Sequence, residues 1–138
     1  MANTLLLEIV TPEARTFSDQ VDMVTLPGVE GEMGVYPNHV PLMTQLVPGE
    51  IVVLKDGQEI YLAVGDGFVE ITGDHVAVLT DMAIPADQID EAKAEEARRK
   101  AEARLAERLD DEESAAVRAA LANSLAQINV KRRRRHHH

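Results

Sequence analysis

Glu30, Glu32 and His39 are the residues of this chain whose types and spacing come nearest to a chemical constellation. Two carboxylates at i and i+2 share one face of a strand, and an imidazole nearby would complete a general acid–base pair or a three-ligand cation site. The rest of the sequence does not supply what such chemistry needs. There is no cysteine, His75 is the only other histidine before residue 136, and neither H-x-H nor H-x-x-x-H occurs before that point. Ser18, Ser114 and Ser124 stand in no nucleophile-elbow pattern. Gly28, Gly31 and Gly34 recur every three residues, but no G-x-x-x-x-G-K-[ST] is present and no helix follows to offer its N-terminus to a phosphate. Gly65-Asp66-Gly67 reads as a turn between strands. The expectation is a chain without catalytic or metal-binding residues, in which Glu30, Gly31, Glu32, Met33, Gly34 and His39 form a partner-binding loop.

The elements that would carry this loop follow from periodicity and punctuation. Between Val29 and Leu42, glycines that allow positive φ and prolines that fix φ rule out a long helix or a regular central strand. From Thr4 to about Ile84 the apolar period is two, with strands expected at Thr4–Val10, Gln20–Leu26, Met33–Tyr36, Ile51–Lys55, Gln58–Val64, Phe68–Ile71 and His75–Leu79. Asp56-Gly57 and Gly73-Asp74 are hairpin turns by composition. Short strands at this spacing predict an antiparallel sandwich or flattened barrel. After Pro85 the pattern becomes helical. One helix is expected from Asp87 or Gln88 to about Leu109, with Ala97, Ala101, Leu105 and Leu109 as its stripe. Asp110 to Glu113 then supply a turn and an acidic start for a second helix reaching about Asn129, with Val117, Leu121, Leu125 and Ile128 as its stripe. The fold class is therefore α+β, a sandwich followed by an antiparallel helical hairpin. An alanine-rich seam buries little area per residue, so the hairpin is weakly held and suited to moving.

Charge is distributed to match. The net charge is −10; residues 1–86 hold Arg15 and Lys55 against thirteen Asp or Glu, whereas 87–138 hold twelve basic against eleven acidic side chains. So acidic a first half repels nucleic acid and anionic headgroups and suits a basic protein partner. Aromatics make up 3% of the chain, which leaves the core to aliphatic side chains. No run of about 18 apolar residues and no basic-then-apolar leader is present, so the chain is expected neither to span a membrane nor to be exported. The basic stretch Lys131 to Arg135 and His136 to His138 read as a disordered tail, its histidines in part an expression remnant.

G-E-x-G-x-x-P-x-H-x-P-L from Gly31 to Leu42 resembles the signature of the epsilon subunits of F-type ATP synthases (delta in mitochondria). Leu7 to Glu13, Val64 to Ile71 and the Ile89-Asp90 helix start are similar to the same family, in order and over almost the whole chain. The resemblance implies a non-catalytic rotor subunit that couples proteolipid-ring rotation to the catalytic head and, through a mobile hairpin, restrains ATP hydrolysis. Its implied partners are the gamma subunit, the proteolipid ring and, with the hairpin extended, the catalytic beta and alpha subunits. Its place would be peripheral, on the cytoplasmic face of the plasma membrane. Glu32 and His39 match motif positions near the ring.

Two further expectations come with the family. Some members bind regulatory ATP through [IL]-D-x-x-R-A; here Ile89, Asp90 and Ala94 match but Lys93 replaces the arginine fork with a point charge. Leu125 and Asn129 stand where later basic residues would help. The two readings are a plain helix start without cofactor and weak ATP binding. Arg98, Arg99, Arg104 and Arg108 are either a solvated face with local pairs such as Glu95 to Arg99 or the inhibitory contacts of an extended hairpin. The expected organisation is a sandwich over 1–86 that binds the rotor stalk, a regulatory hairpin over 87–130 and the tail over 131–138. The rival reading is a free-standing β-sandwich ligand-binding module with a helical dimerisation hairpin, for which only Phe17, Tyr36, Tyr61 and Phe68 could line an aromatic pocket.

Overall fold

A computed structural model describes residues 3–135. The strands are β1 (Leu5–Val10), β2 (Arg15–Val21), β3 (Met23–Gly28), β4 (Gly31–Val35), β5 (His39–Leu46), β6 (Gly49–Lys55), β7 (Gln58–Val64), β8 (Gly67–Gly73), β9 (His75–Thr80) and β10 (Ala83–Pro85). A 3-10 turn over Ala86–Gln88 leads to α1 (Glu91–Leu105) and α2 (Asp111–Arg135). The strands follow the order β10-β7-β6-β3-β5-β8-β9-β1-β2, with β4 hydrogen-bonded to β3. They wrap into a nearly closed sandwich, and β2, at one end of the order, closes against β6 where the Asp22 N–H donates to the Leu54 carbonyl and Lys55 pairs with Asp19. That bond from Lys55, and then the Gln20 N–H, hold the Asp19 carboxyl below its ordinary value.

Period-two alternation builds the core. Leu5, Leu7 and Ile9 of β1, Ile51 and Val53 of β6, Val69 and Ile71 of β8, and Val76 and Val78 of β9 all point inward and are buried. Strand β7 is used on both faces. Leu62 and Val64 enter the sandwich core, while Ala63 packs with Ile89 and Val130 beneath the helices. Asp56 and Gly57 both adopt positive φ, 52° and 78°, as a tight hairpin of this type requires.

Four expectations need correction. The chain from Gln20 to Leu26 is not one strand, because inward positions Val21 and Val24 are three apart and the phase breaks at Asp22. The sheet is not wholly antiparallel, since β1 runs parallel to β9. His39 to Leu46 is a full strand: Pro41 sits in a register irregularity between His39 and Leu42, where a ladder N–H is not demanded. Finally, Lys131 to Arg135 continue α2 instead of forming a disordered tail, held by carboxylates brought from elsewhere in the chain. His136 to His138 lie outside the described residues.

The helices are shorter and longer than expected, respectively. Asp90 caps α1 by accepting the Lys93 N–H at 3.1 Å, which delays the start beyond Asp87, and the helix ends at Leu105 rather than Leu109. Asp110 accepts the Glu113 N–H at 2.7 Å and opens α2. Ala97 is exposed; the buried seam runs through Ala94 and Ala101, with Arg98 half-buried between them. In α2, Ser124 and Ile128 mark one buried face and Ala126 and Val130 another, because α2 packs on both the sandwich and α1. Leu125 falls between those faces and is 39% exposed.

Candidate interaction surfaces

The expected loop proves to be two sites. Val29 and Glu30 turn the β3–β4 hairpin between the paired Gly28 and Gly31, and Glu30, Gly31, Glu32 and Gly34 are exposed while Met33 leans on the core. His39 begins β5 opposite Gly73, its Nδ1 2.6 Å from the Val40 carbonyl. Beside it, Asn38 takes φ 66° and donates its N–H to Asp74 at 2.8 Å. The length of β4, five residues, separates the two places, roughly 16 Å at 3.3 Å per residue. Among the described residues no three His, Asp or Glu side chains converge on a point that would hold a metal ion. The hairpin tip offers two carboxylates to a partner; the His39 turn offers exposed Tyr36 and Val40.

A third surface was not foreseen. On the outer face of β5, β8, β9 and β1 the register lines up Gln45, Phe68, Leu79 and Val10 in one row and Met43, Glu70, Ala77 and Glu8 in the next. Phe68 is 60% exposed, Leu79 56% and Val10 36%, and Met43 is exposed beside them. A cleft of about 370 Å³ lies at the end of the row, lined by Val10, Pro12, Gly67 and Leu79 with Asp66 and Asp81 at its rim. Large apolar side chains in cross-strand register on an open face mark an interaction site. Glu8 closes the other side of the face, 2.7 Å from His75 Nε2 and 3.7 Å from Arg15. The signal was in the alternation, since Phe68 is out of phase with the inward Val69 and Ile71.

Both family models of one group match the chain. The description "ATP synthase, Delta/Epsilon chain, beta-sandwich domain" covers residues 4–86, and "ATP synthase, Delta/Epsilon chain, long alpha-helix domain" covers 87–132. The chain belongs to the delta/epsilon family of ATP synthase subunits. Among curated relatives, the ATP synthase epsilon chain of Laribacter hongkongensis is 42% identical over 130 residues, covering 93% of each chain. That of Herpetosiphon aurantiacus is 42% identical over 129 residues, covering 94% of this chain and 95% of its own. Among solved structures, a chain of the Euglena gracilis mitochondrial ATP synthase (OSCP/F1/c-ring, rotational state 1) superposes with a TM-score of 0.73 at 25% identity, over 89% of this chain and 78% of that one.

In this delta/epsilon-family chain the helical candidates have distinct surroundings. Ile89 is buried against Ala63 and Val130, Asp90 is the α1 cap, Ala94 is buried and the Lys93 side chain is exposed. Around them, Glu91 and Glu95 both hold Arg132, at 2.8 and 3.2 Å. Arg98 is not a solvated residue: it lies in the seam, bonds Glu95 at 2.9 Å and Glu102 at 3.0 Å, and keeps the Glu95 carboxyl below its ordinary value. The expected partner of Glu95 was Arg99, which is exposed. Arg104 joins Glu107 at 2.6 Å to Glu113 at 3.3 Å across the turn between the helices, and Arg108 is exposed. No helix among the described residues is long and apolar enough to cross a membrane.

Proposed function

We propose that the chain is a non-catalytic central-stalk subunit of a bacterial-type F-type ATP synthase, attached peripherally at the cytoplasmic face of the membrane. The observation that carries this reading is the exposed row of Phe68, Leu79 and Val10 on a sandwich whose interior is already full. In a delta/epsilon-family chain, the gamma subunit is the partner that such a face would bind. The hairpin tip, with Glu30 and Glu32 raised on two glycines, meets the proteolipid ring. A contact on each side lets the sandwich transmit torque between them without bond chemistry. The helices act as a brake: released from the sandwich, they carry Arg99, Arg104 and Arg108 toward the catalytic beta and alpha subunits and slow hydrolysis.

The test is ATP hydrolysis by a catalytic head that retains gamma but lacks this subunit, titrated with the full chain. Saturable binding with a fall in hydrolysis is the expected result. Failure to co-elute with the head at micromolar concentration overturns the stalk assignment, and binding with unchanged hydrolysis removes the brake alone.

The same reading gives the chain no regulatory nucleotide. A triphosphate approaching Asp90 and Lys93 meets the carboxylates of Asp90, Glu91 and Glu95, with Arg132 already engaged by two of them. Lys93 supplies one point charge against that field. Millimolar ATP is expected to shift the melting temperature by less than about 1 °C; by linkage, a site with a submillimolar dissociation constant would raise it by several degrees.

A further inference from the structure

The end of α2 carries ion pairs that join the hairpin to the sandwich. Glu50, at the start of β6, has a side chain only 9% exposed and accepts from Arg133 Nη1 at 3.0 Å, from Arg134 Nε at 2.8 Å and from Arg134 Nη2. The Arg134 guanidinium also lies over the Tyr61 ring, 3.7 Å from its centroid. That ring is oriented in turn by the phenol donating to Glu59 at 2.9 Å. Three residues before Arg134, Lys131 donates to the Ala86 carbonyl at 3.2 Å, tying α2 to the linker.

Against this, the apolar part of the joint is thin. Ala63, Ile89 and Val130 are its buried members, with Met82, Ile84 and Ala86 partly buried against them, and beside them a cleft of about 320 Å³ stays open between the β5–β6 turn and α2, with Leu125 and Ala126 on its wall. Alanine and glycine contribute little buried area, so apolar burial alone gives weak docking. Glu50 changes the balance. A carboxylate so little exposed is tolerated because two guanidiniums satisfy it, and removing them leaves a desolvated charge.

We propose that Arg133 and Arg134 at the end of α2, received by Glu50 and Tyr61, form a latch that sets whether the helical hairpin is docked on the sandwich or free. The latch closes the end of α2 that lies beside the linker, at the common base of both helices, and opening it restores Glu50 and both arginines to water together. Its use as a control on the brake rests on the function proposed above; its existence does not.

The experiment reads the isolated full chain. The sequence has no cysteine, so spin labels go on the exposed positions Ser18→Cys in β2 and Ala103→Cys in α1, and the pulsed dipolar distance distribution is recorded. With the latch intact a single narrow distance is expected. In Glu50→Gln, and independently in Arg133→Ala/Arg134→Ala, a longer and broader population should grow by at least about tenfold, while Arg134→Lys falls between. The arginine pair lies outside the sandwich, so it decides the matter if Glu50→Gln perturbs β6. A distribution unchanged in both variants overturns the latch, as does a wild-type chain already broad. Neither outcome depends on binding to a catalytic head, so failure here and failure of the stalk assignment are separately visible.

Discussion

Placing aspartates at Phe68 and Leu79 together is expected to weaken the proposed binding of this chain to the gamma subunit by at least about 100-fold, while leaving the chain folded. Both side chains are more than half exposed in the free subunit and face each other across β8 and β9. Covering a large apolar side chain is worth about 1.5–3 kcal/mol, so losing the pair forfeits about 3–6 kcal/mol, and every 1.4 kcal/mol is tenfold in affinity. Burying two carboxylates instead adds a desolvation cost of the same sign. The folded state gives up little, because neither side chain belongs to the interior. Circular dichroism and melting should therefore match the unsubstituted chain, and titration calorimetry against gamma-containing head should show the loss. Affinity within threefold of the original would remove this face from the interface. A similar loss on Glu30→Ala instead would move the gamma contact to the hairpin tip.

That face could have been inferred from residue order, but only with the register in hand. Phe68 alternates out of phase with Val69 and Ile71, which places it outward. What makes it a surface is the partner strands setting Leu79 and Val10 beside it, and the parallel pairing of β1 with β9 joins residues far apart in the chain. Local periodicity carries no information on such pairing. The turns were legible for the opposite reason. Asp56-Gly57 acts through backbone conformation within two residues, where sequence and structure are nearly the same thing, whereas the acidic cluster at Asp87 and Asp90 left the cap position open and Asp90 took it.

The helical half shows where charge patterns mislead. Lys131 to Arg135 look like a solvated tail because like charges repel when nothing opposes them. They are helical because Glu50, Glu91 and Glu95 stand opposite, and the first of these is more than eighty positions away. Arg98 looks like a surface residue on composition, yet it is half-buried on the face of α1 that buries Ala94 and Ala101 and ends on two glutamates. Small neighbours make that possible. The hairpin is thus held by a few long-range ion pairs over a thin apolar joint, the sandwich by continuous aliphatic packing.

That contrast is measurable in one strand and one helix. Leu62→Ala in β7 is expected to lower the unfolding free energy of the sandwich by about 2–5 kcal/mol. Leu62 is fully buried among Ile51, Val64 and the rest of the aliphatic core, and with 3% aromatic residues in the chain there is no large flexible ring to fill the space left. For a domain of this size each kcal/mol moves the midpoint by about 4–8 °C, so thermal unfolding followed by circular dichroism should fall by more than about 10 °C. Leu125→Ala removes the same atoms from α2, where the side chain is 39% exposed at the open cleft, and should cost under about 1 kcal/mol. The ratio is the critical observation. Equal losses at the two leucines would mean that the helices and the sandwich share one core and unfold together, leaving no weak joint to open. A large loss at Leu62 with almost none at Leu125 is what a rigid sandwich carrying a detachable hairpin requires, since the strand must keep its fold while the helices leave it.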